Sequence, residues 1–146
     1  MNLELSTLTF LVVDDSAYMR TILRTMLQGF GARRIVEAED GASGLEAMDR
    51  ANPDILILDW VMPGIGGPGF CDAARHIARV KPMPPIVVIT AHATRRVVTE
   101  AIRAGVDQIL VKPFSATSLR DRLMSAIENK PTAEPAPSSG TDVFFL

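Results

Sequence analysis

Five short apolar runs alternate with amphipathic stretches over most of this chain, and that alternation constrains the fold more than any other feature. The runs, which are rich in β-branched residues, span 9–13, 34–38, 54–58, 85–90 and 108–111. The first, third and fourth are almost wholly apolar, as expected for strands of a parallel sheet that is covered on both faces. The second and fifth are more mixed in polarity, which favours positions nearer the edges of the sheet.

Amphipathic helices are predicted between these strands. Apolar residues recur at helical spacing from Tyr18 to Leu27, and Ser16 is suited to cap the start of this first helix. The same spacing predicts four further helices, over 41–51, 68–80, 94–104 and 115–128. Because strands and helices alternate through short loops, the crossovers should be right-handed. The prediction is an open α/β fold with helices on both faces of a parallel sheet.

Composition excludes several classes of protein. The chain has 146 residues, of which 47% are hydrophobic and 22% charged, a balance typical of a globular domain with a sizeable core. A net charge of −2 gives no basic surface for nucleic acid or for a membrane. The single cysteine, Cys71, excludes an internal disulfide and fits a reducing compartment. With no signal peptide and no apolar stretch near the roughly 18 residues of a membrane span, we expect a cytoplasmic protein.

The composition changes at about Lys130. Residues 130–146 are rich in proline and serine, and such a segment cannot bury a core, so we expect a flexible tail. The tail ends in an apolar tip, Val143 to Leu146. Two interpretations stay open. The tip folds back on the domain, or it docks on a partner, because exposed phenylalanines at a terminus otherwise favour aggregation.

Polar side chains of complementary chemistry stand at the ends of the predicted strands. Strand one is followed by Asp14 and Asp15, strand three by Asp59 and strand five by Lys112, while strand four ends in Thr90. Ligands of open parallel sheets bind outside the carboxyl ends of the strands, so these groups are expected to share one rim. Three close carboxylates would raise each other's pKa, and a divalent cation relieves that conflict. An all-oxygen site suits Mg²⁺ better than Zn²⁺; the plainer alternative is that each aspartate only caps the helix after it.

Four motifs in chain order resemble those of the receiver domain of two-component response regulators, the CheY-like family. They are the pair Asp14-Asp15, the block from Leu58 to Gly64, the pair Thr90-Ala91 and the block from Lys112 to Phe114. The resemblance extends from about residue 8 to residue 129. It implies a flavodoxin-like doubly wound (βα)5 fold with a five-stranded parallel sheet in the order 2-1-3-4-5. It also implies a receiver domain over 1–129, followed by the tail over 130–146.

The resemblance further implies a phosphoacceptor and a metal site. Asp59 would be the phosphoacceptor, a carboxylate nucleophile that forms an aspartyl phosphate. Mg²⁺ would be the cofactor, bound by Asp14, Asp15, Asp59 and the backbone carbonyl of Val61.

Three other groups would contact the phosphoryl group. Lys112 would neutralise the charge that builds on its oxygens. Thr90 and the backbone amide of Ala91 would hydrogen-bond the group once it is attached. The resemblance also implies that the peptide between Lys112 and Pro113 is cis, an isomer that is accessible chiefly before proline.

The partners implied by the resemblance are proteins. A histidine kinase or a histidine phosphotransfer protein would be the phosphodonor. A downstream protein would bind the fourth helix, the fifth strand and the fifth helix after a population shift. The protein would be a monomer or a phosphorylation-dependent dimer. It would not be an enzyme beyond Mg²⁺-dependent self-phosphorylation from a donor and slow autodephosphorylation.

The sequence departs from the family pattern at positions that control switching and phosphate lifetime. Ile109 stands where the family commonly has a Tyr or Phe that swings inward, so the switch either works with a smaller group or changes less between its states. Gly66 replaces a frequent Asp, which predicts a more mobile loop after Asp59. Val61 and His92 occupy the positions that tune phosphate lifetime. Val61 cannot guide an attacking water, whereas His92 either shields the phosphoryl group or only faces solvent.

Three other functions compete with this one. A Mg²⁺-dependent aspartyl phosphohydrolase would carry an Asp-x-Asp motif after strand one, which Asp14-Asp15 lacks. A receiver-like scaffold that never takes a phosphoryl group would bind partners constitutively, and the unusual Ile109 and Gly66 fit it. Residues 64–69 have the G-x-G-x-x-G spacing of dinucleotide sites. Such a site, however, uses the first strand–helix turn and an acid about 20 residues further on, where Ile89 stands here.

Overall fold

The computed structural model describes residues 4–77 and 82–128, which form one five-stranded parallel sheet between two layers of helices. The strands are β1 (Thr9–Val13), β2 (Arg34–Ala38), β3 (Ile55–Asp59), β4 (Ile86–Thr90) and β5 (Gln108–Val111). Their order across the sheet is β2-β1-β3-β4-β5, and every pairing is parallel. The predicted fold class and strand order are confirmed.

Five α-helices follow the strands, and a short 3-10 helix (Leu5–Thr7) precedes them. The α-helices are α1 (Ala17–Gly29), α2 (Gly41–Ala51), α3 (Gly67–Ile77), α4 (Arg95–Arg103) and α5 (Ala116–Glu128). Side chains cap the starts of α1, α2 and α4. Ser16 accepts a hydrogen bond from the amide of Met19, as its position predicts, and Thr94 caps α4 in the same way. Asp40 and Ser43 bond to each other's backbone amides in a capping box.

The sheet separates two hydrophobic cores. Alternate residues of each strand point to opposite faces, so the central strands contribute to both cores. On one face, Leu11, Leu56 and Val88 pack with residues of α2, α3 and α4. On the other, Phe10, Ile57 and Val87 pack with residues of α1 and α5. Burial on both faces explains the nearly continuous apolar runs of the central strands, while β2 and β5 are the edge strands.

Some boundaries differ from the predicted ones for identifiable reasons. β3 runs from Ile55 to Asp59 instead of over 54–58, because the carboxylate of Asp54 accepts a hydrogen bond from the amide of Thr9 at 2.7 Å and caps the strand. β4 begins at Ile86 because the preceding Pro85 has no N–H to donate. The predicted end of the third helix at residue 80 and the tail over 130–146, with its tip from Val143 to Leu146, lie outside the described residues. Across the described ranges, none of the helices has the length and hydrophobicity needed to traverse a lipid bilayer.

Candidate functional site

Three aspartates come together at the carboxyl ends of β1 and β3. Val13 pairs with Leu58 in the parallel ladder, so Asp14 and Asp59 follow at equivalent positions on neighbouring strands. One carboxylate oxygen from each of Asp14, Asp15 and Asp59 lies within 4.8 Å of the other two. Asp14 and Asp59 are buried and Asp15 is exposed, so this acidic cluster is accessible from solvent on one side.

Two hydrogen bonds orient Asp14. Its amide donates to the carbonyl of Ala38 at 3.1 Å, which extends the pairing between β1 and β2. The amide of Ser16 donates to Oδ1 of Asp14 at 2.9 Å, at the turn where α1 starts. The helix cap and the acidic residue are therefore parts of one turn, and the carboxylate of Asp14 has a fixed direction.

Lys112 brings a cation from the end of β5. Its Nζ lies 3.4 Å from Oδ2 of Asp14 and 3.5 Å from Oδ2 of Asp59. The backbone amide of Lys112 donates to the carbonyl of Thr90 at 2.8 Å, which fixes the chain just after β5. The peptide between Lys112 and Pro113 is cis, as the resemblance implies.

The electrostatics of the cluster favour a bound cation. The pKa of Asp59 is raised from 3.8 to about 6: burial is the largest cause, the nearby carboxylates of Asp14 and Asp15 add to it, and the ammonium of Lys112 opposes the rise. A divalent cation between the carboxylates would remove this conflict. All available side-chain donors are hard carboxylate oxygens and one side faces solvent, so the donor set fits Mg²⁺, which keeps several waters, and not Zn²⁺, which favours nitrogen and sulfur.

Thr90 and Ala91 lie at the end of β4, the strand next to β3. Thr90 is fully buried, and its Oγ1 accepts a hydrogen bond from the amide of His92 at 2.9 Å. Ala91 and His92 are exposed. The hydroxyl of Thr90 is therefore at the same end of the sheet as the acidic cluster, and its oxygen is bonded within its own turn.

Trp60, the residue after Asp59, packs its indole inside the protein. It is 2% exposed, and its Nε1 donates a hydrogen bond to Oε1 of Glu100 in α4 at 3.2 Å. A Cβ on Gly67 would lie 2.1 Å from two atoms of the indole ring, so the start of α3 requires glycine. This glycine therefore makes room for a tryptophan and not for a dinucleotide. Val61, by contrast, is 48% exposed.

The two remaining departures from the family pattern have clear positions. Ile109 is 2% exposed and packs in the core on the side of α4. Gly66 lies just before α3, and its carbonyl accepts a hydrogen bond from the amide of Phe70 at 2.9 Å.

Two contacts near the site were not predicted from the sequence. Arg20 in α1 donates from Nη1 to the carbonyl of Asp14 at 2.7 Å and from Nε to Oε1 of Glu37 at 3.2 Å. The other contact is that of Glu100 with Trp60. In the sequence, Glu37 is an acidic residue among the apolar residues Ile35, Val36 and Ala38 of β2, and such an acid is expected to pair with a cation. Glu100 stands between Val97 and Ala101, which are buried, and that spacing indicates an inward side chain.

Known proteins are similar to this chain over most of its length. The family model for the response regulator receiver domain matches residues 10–124. The chemotaxis protein CheY of Pseudomonas aeruginosa is 37% identical over 118 residues, which cover 81% of this chain and 94% of the relative. The chemotaxis protein CheY1 of Helicobacter pylori is 38% identical over 114 residues, which cover 77% of this chain and 91% of the relative. The solved structure of chemotaxis protein CheY4 of Vibrio cholerae has a TM-score of 0.75 at 30% identity and covers 82% of this chain and 98% of that chain.

The sheet order, the acidic cluster and these matches agree with one another. The matched residues include β2 to β5, all of β1 but its first residue, and both strand ends that carry the aspartates. The chain therefore belongs to the response regulator receiver domain family, the CheY-like signalling proteins of two-component systems.

Proposed function

We propose that this receiver accepts a phosphoryl group on Asp59 from a phosphohistidine of a histidine kinase or a histidine phosphotransfer protein. One observation carries the proposal. Three carboxylate oxygens lie within 4.8 Å of one another at the ends of adjacent strands, with the ammonium of Lys112 3.5 Å from Oδ2 of Asp59. Mg²⁺ would be held by Asp14, Asp15 and Asp59, with the backbone carbonyl of Val61.

The chemistry needs little more than positioning and charge neutralisation. A carboxylate oxygen of Asp59 bonds to phosphorus as the bond from phosphorus to the donor imidazole breaks, and the imidazole leaves with that electron pair. Lys112 is placed to neutralise charge on the phosphoryl oxygens. When bound, Mg²⁺ supplies further neutralisation of these oxygens.

Thr90 and Ala91 are proposed to bind the transferred group. A hydroxyl that accepts through its oxygen, as Thr90 does from His92, still has its proton to donate to a phosphoryl oxygen. The amide of Ala91 is the second proposed donor. These bonds would form only after phosphorylation, which gives the phosphorylated state contacts that the free state lacks.

Signalling is proposed to occur through α4, β5 and α5, by phosphorylation-dependent binding of a downstream protein or by phosphate relay. α4 exposes Arg95, Arg96 and Arg103 around Ile102, which is 52% exposed. Ile109 is fully enclosed and smaller than the aromatic residue common in the family, so the proposed switch depends on small shifts of α4. The phosphorylated form is a monomer or a dimer through this same surface.

Val61 and His92 are proposed to set the lifetime of the phosphate. Val61 is exposed and apolar, so it offers no hydrogen bond to an attacking water. His92 is exposed, and its backbone is fixed to Thr90. Slow release of phosphate from Asp59 would be the only hydrolysis at this site.

The test is intact-mass measurement after incubation with acetyl phosphate and Mg²⁺. Wild-type protein is expected to gain one phosphoryl group, and Asp59→Asn none. Asp121→Asn, which changes an exposed acid of α5, is the matched control and should label like wild type. Removal of Mg²⁺ with a chelator should abolish the gain.

Three outcomes would replace this proposal. Labelling that persists in Asp59→Asn would show that the acceptor is another residue. An unlabelled wild type that binds partners regardless of phosphodonor would favour the receiver-like scaffold. Steady turnover of a small phosphate ester in Mg²⁺ would instead favour an aspartyl phosphohydrolase.

A further inference from the structure

Arg20 connects α1 and β2 to the loop that carries the acidic pair. The side chain is 17% exposed, and its two hydrogen bonds point in different directions. Nη1 donates to the carbonyl of Asp14 at 2.7 Å, and Nε donates to Oε1 of Glu37 at 3.2 Å. The Asp14 carbonyl lies one residue past the end of β1, and Arg20 provides the donor that a buried carbonyl requires.

The direction of Asp15 depends on this carbonyl. The carbonyl of Asp14 and the amide of Asp15 belong to one planar peptide, so a fixed oxygen also fixes the bond from which Asp15 continues. The carboxylate of Asp14 has its own contacts with Ser16 and Lys112. Asp15 is exposed, and among the described residues its carboxylate has neither a hydrogen bond nor an ion pair. Its backbone is what holds it in the cluster.

We propose that Arg20 is a positioning residue for the cation site. By holding the peptide between Asp14 and Asp15, it keeps the carboxylate of Asp15 directed at Asp59 beside that of Asp14. This inference rests on the proposed function, because it assumes that the cluster binds Mg²⁺. Glu37 orients the guanidinium of Arg20 through their ion pair.

Arg24 offers a matched control on the same helix. Its Nε donates to the other oxygen of Glu37, and its Nη2 donates to the carbonyl of Ile35 in β2 at 3.1 Å. Arg24 therefore shares the acid with Arg20 but has its backbone contact in the strand and not in the acidic loop. Loss of Arg24 removes a cation and an ion pair without releasing the carbonyl of Asp14.

Charge and positioning predict opposite changes in Mg²⁺ affinity. A guanidinium near three carboxylates repels Mg²⁺, so its removal would by charge alone tighten binding. Loss of a group that orients metal ligands weakens binding, typically by about 10- to 100-fold. A weaker affinity after neutralisation of Arg20 is therefore not an effect of charge.

The test uses the full chain and three variants: Arg20→Gln, Arg20→Lys and Arg24→Gln. Mg²⁺ is titrated at constant ionic strength while the amide resonances are followed by NMR. Amide hydrogen exchange at Ser16 is measured without metal.

Arg20→Gln is expected to weaken Mg²⁺ binding roughly tenfold and to speed exchange at Ser16. Arg20→Lys, which keeps the charge but lacks the planar fork, should fall between it and wild type. Arg24→Gln should stay within about twofold of wild type in affinity, because the carbonyl of Asp14 keeps its donor.

Unchanged or tighter Mg²⁺ binding by Arg20→Gln overturns the inference. An equal loss in Arg24→Gln overturns it too, because the effect would then belong to the packing of α1 on β2. Circular dichroism shows whether each variant folds. If Arg20→Gln does not fold, the Mg²⁺ affinity of Arg20→Lys is the test instead. A Mg²⁺ affinity of Arg20→Lys equal to that of wild type refutes the positioning role. A wild type that binds no Mg²⁺ refutes both proposals, whereas one that binds Mg²⁺ but takes no phosphoryl group refutes only the proposed function.

Discussion

Nε1 of Trp60 donates a hydrogen bond to Oε1 of Glu100 at 3.2 Å, and this bond ties the residue after the proposed phosphoacceptor to α4. Trp60 is almost fully buried, so the bond lies in a setting of low polarity. The other oxygen of Glu100 pairs with the exposed Arg96 at 3.5 Å. A single carboxylate thus bridges the interior beside β3 and the outer surface of α4, the helix proposed to take part in signalling.

Glu100→Ala should destabilise the protein and change the emission of Trp60. The indole N–H would lose its acceptor while staying buried, which costs about 1–3 kcal/mol in the free energy of unfolding. Glu100→Gln keeps an oxygen acceptor and should lose less. Urea unfolding followed by circular dichroism gives the energies, and fluorescence reports the indole, since Trp60 is the only tryptophan.

Arg96→Ala is the control for this prediction. It removes the same helix-surface ion pair, but Arg96 is 85% exposed, so the change should stay below about 0.5 kcal/mol. If Glu100→Ala costs no more than Arg96→Ala, the bond to the indole does not stabilise the fold.

Gly67→Ala should destabilise the protein by at least about 2 kcal/mol, since overpacking of a rigid core costs this much or more. The added Cβ would stand 2.1 Å from the buried ring of Trp60, so the ring or the start of α3 would have to shift. Gly29→Ala near the end of α1 is the comparison, because a Cβ there meets nothing within 4 Å. That variant should be neutral or stabilised by up to about 1 kcal/mol. Equal melting temperatures of the two variants would contradict the argument.

The contribution of Asp59 to the stability of the metal-free protein should fall as the pH rises from about 4 to about 6. Asp59 has a pKa of about 6 in the folded protein and 3.8 as its ordinary value, so in this window the folded state binds more protons than the unfolded state. The contribution of this group is therefore greatest at low pH and is lost as the carboxyl ionises. Asp59→Asn should remove this contribution to the slope and stabilise the metal-free protein at pH 7 by up to about 3 kcal/mol.

Urea unfolding in a chelator across this pH range, with wild type and Asp59→Asn side by side, gives the difference directly. The free energy of unfolding of wild type, relative to that of Asp59→Asn, is expected to fall as the pH rises. If it rises instead, the pKa of Asp59 is not raised in the folded protein.

Lys112→Met should raise the pKa of Asp59 further. The ammonium lies 3.5 Å from Oδ2 of Asp59 and favours its ionised form, whereas methionine fills a similar volume without charge. An NMR titration of the Asp59 carboxyl carbon without metal measures the shift. Arg103→Met, which removes an exposed cation of α4, should leave the titration unchanged. A lower pKa in Lys112→Met would mean that the ammonium does not act on Asp59.

Val61→Asn should shorten the lifetime of the phosphorylated protein several-fold. An amide at this exposed position can hold and orient a water near the phosphoryl group, as the valine cannot. The decay of the phosphorylated mass after removal of the donor measures the lifetime. Ile65→Asn makes the same change on an exposed apolar residue of the same loop and should leave the decay unaltered. Equal decay in wild type and Val61→Asn would remove Val61 from the tuning positions.

The fold can be predicted well from the sequence because burial of a strand on both faces leaves a signal within the strand itself. Strands buried on both faces need a continuous apolar run, and Asp14 and Asp59 end two such runs on adjacent strands. The contacts of Arg20 and Glu100 were not predictable in this way. Each is a single polar residue on a helix. Glu37 and Trp60, their side-chain partners, come from other elements that only packing brings near. The carbonyl of Asp14 is close to Arg20 in the chain, but a backbone acceptor leaves no mark in the sequence.

The adjacency of β1 and β3 has a consequence for biosynthesis. The acidic cluster needs β3 to pair with β1 across an intervening helix, strand and second helix, and Lys112 arrives only with β5. Because Lys112 is part of the site, a nascent chain shorter than about residue 112 has no complete site to offer a phosphodonor. On the proposed function, the chain can accept a phosphoryl group only once its sheet is complete, and unfinished or truncated chains cannot accept one.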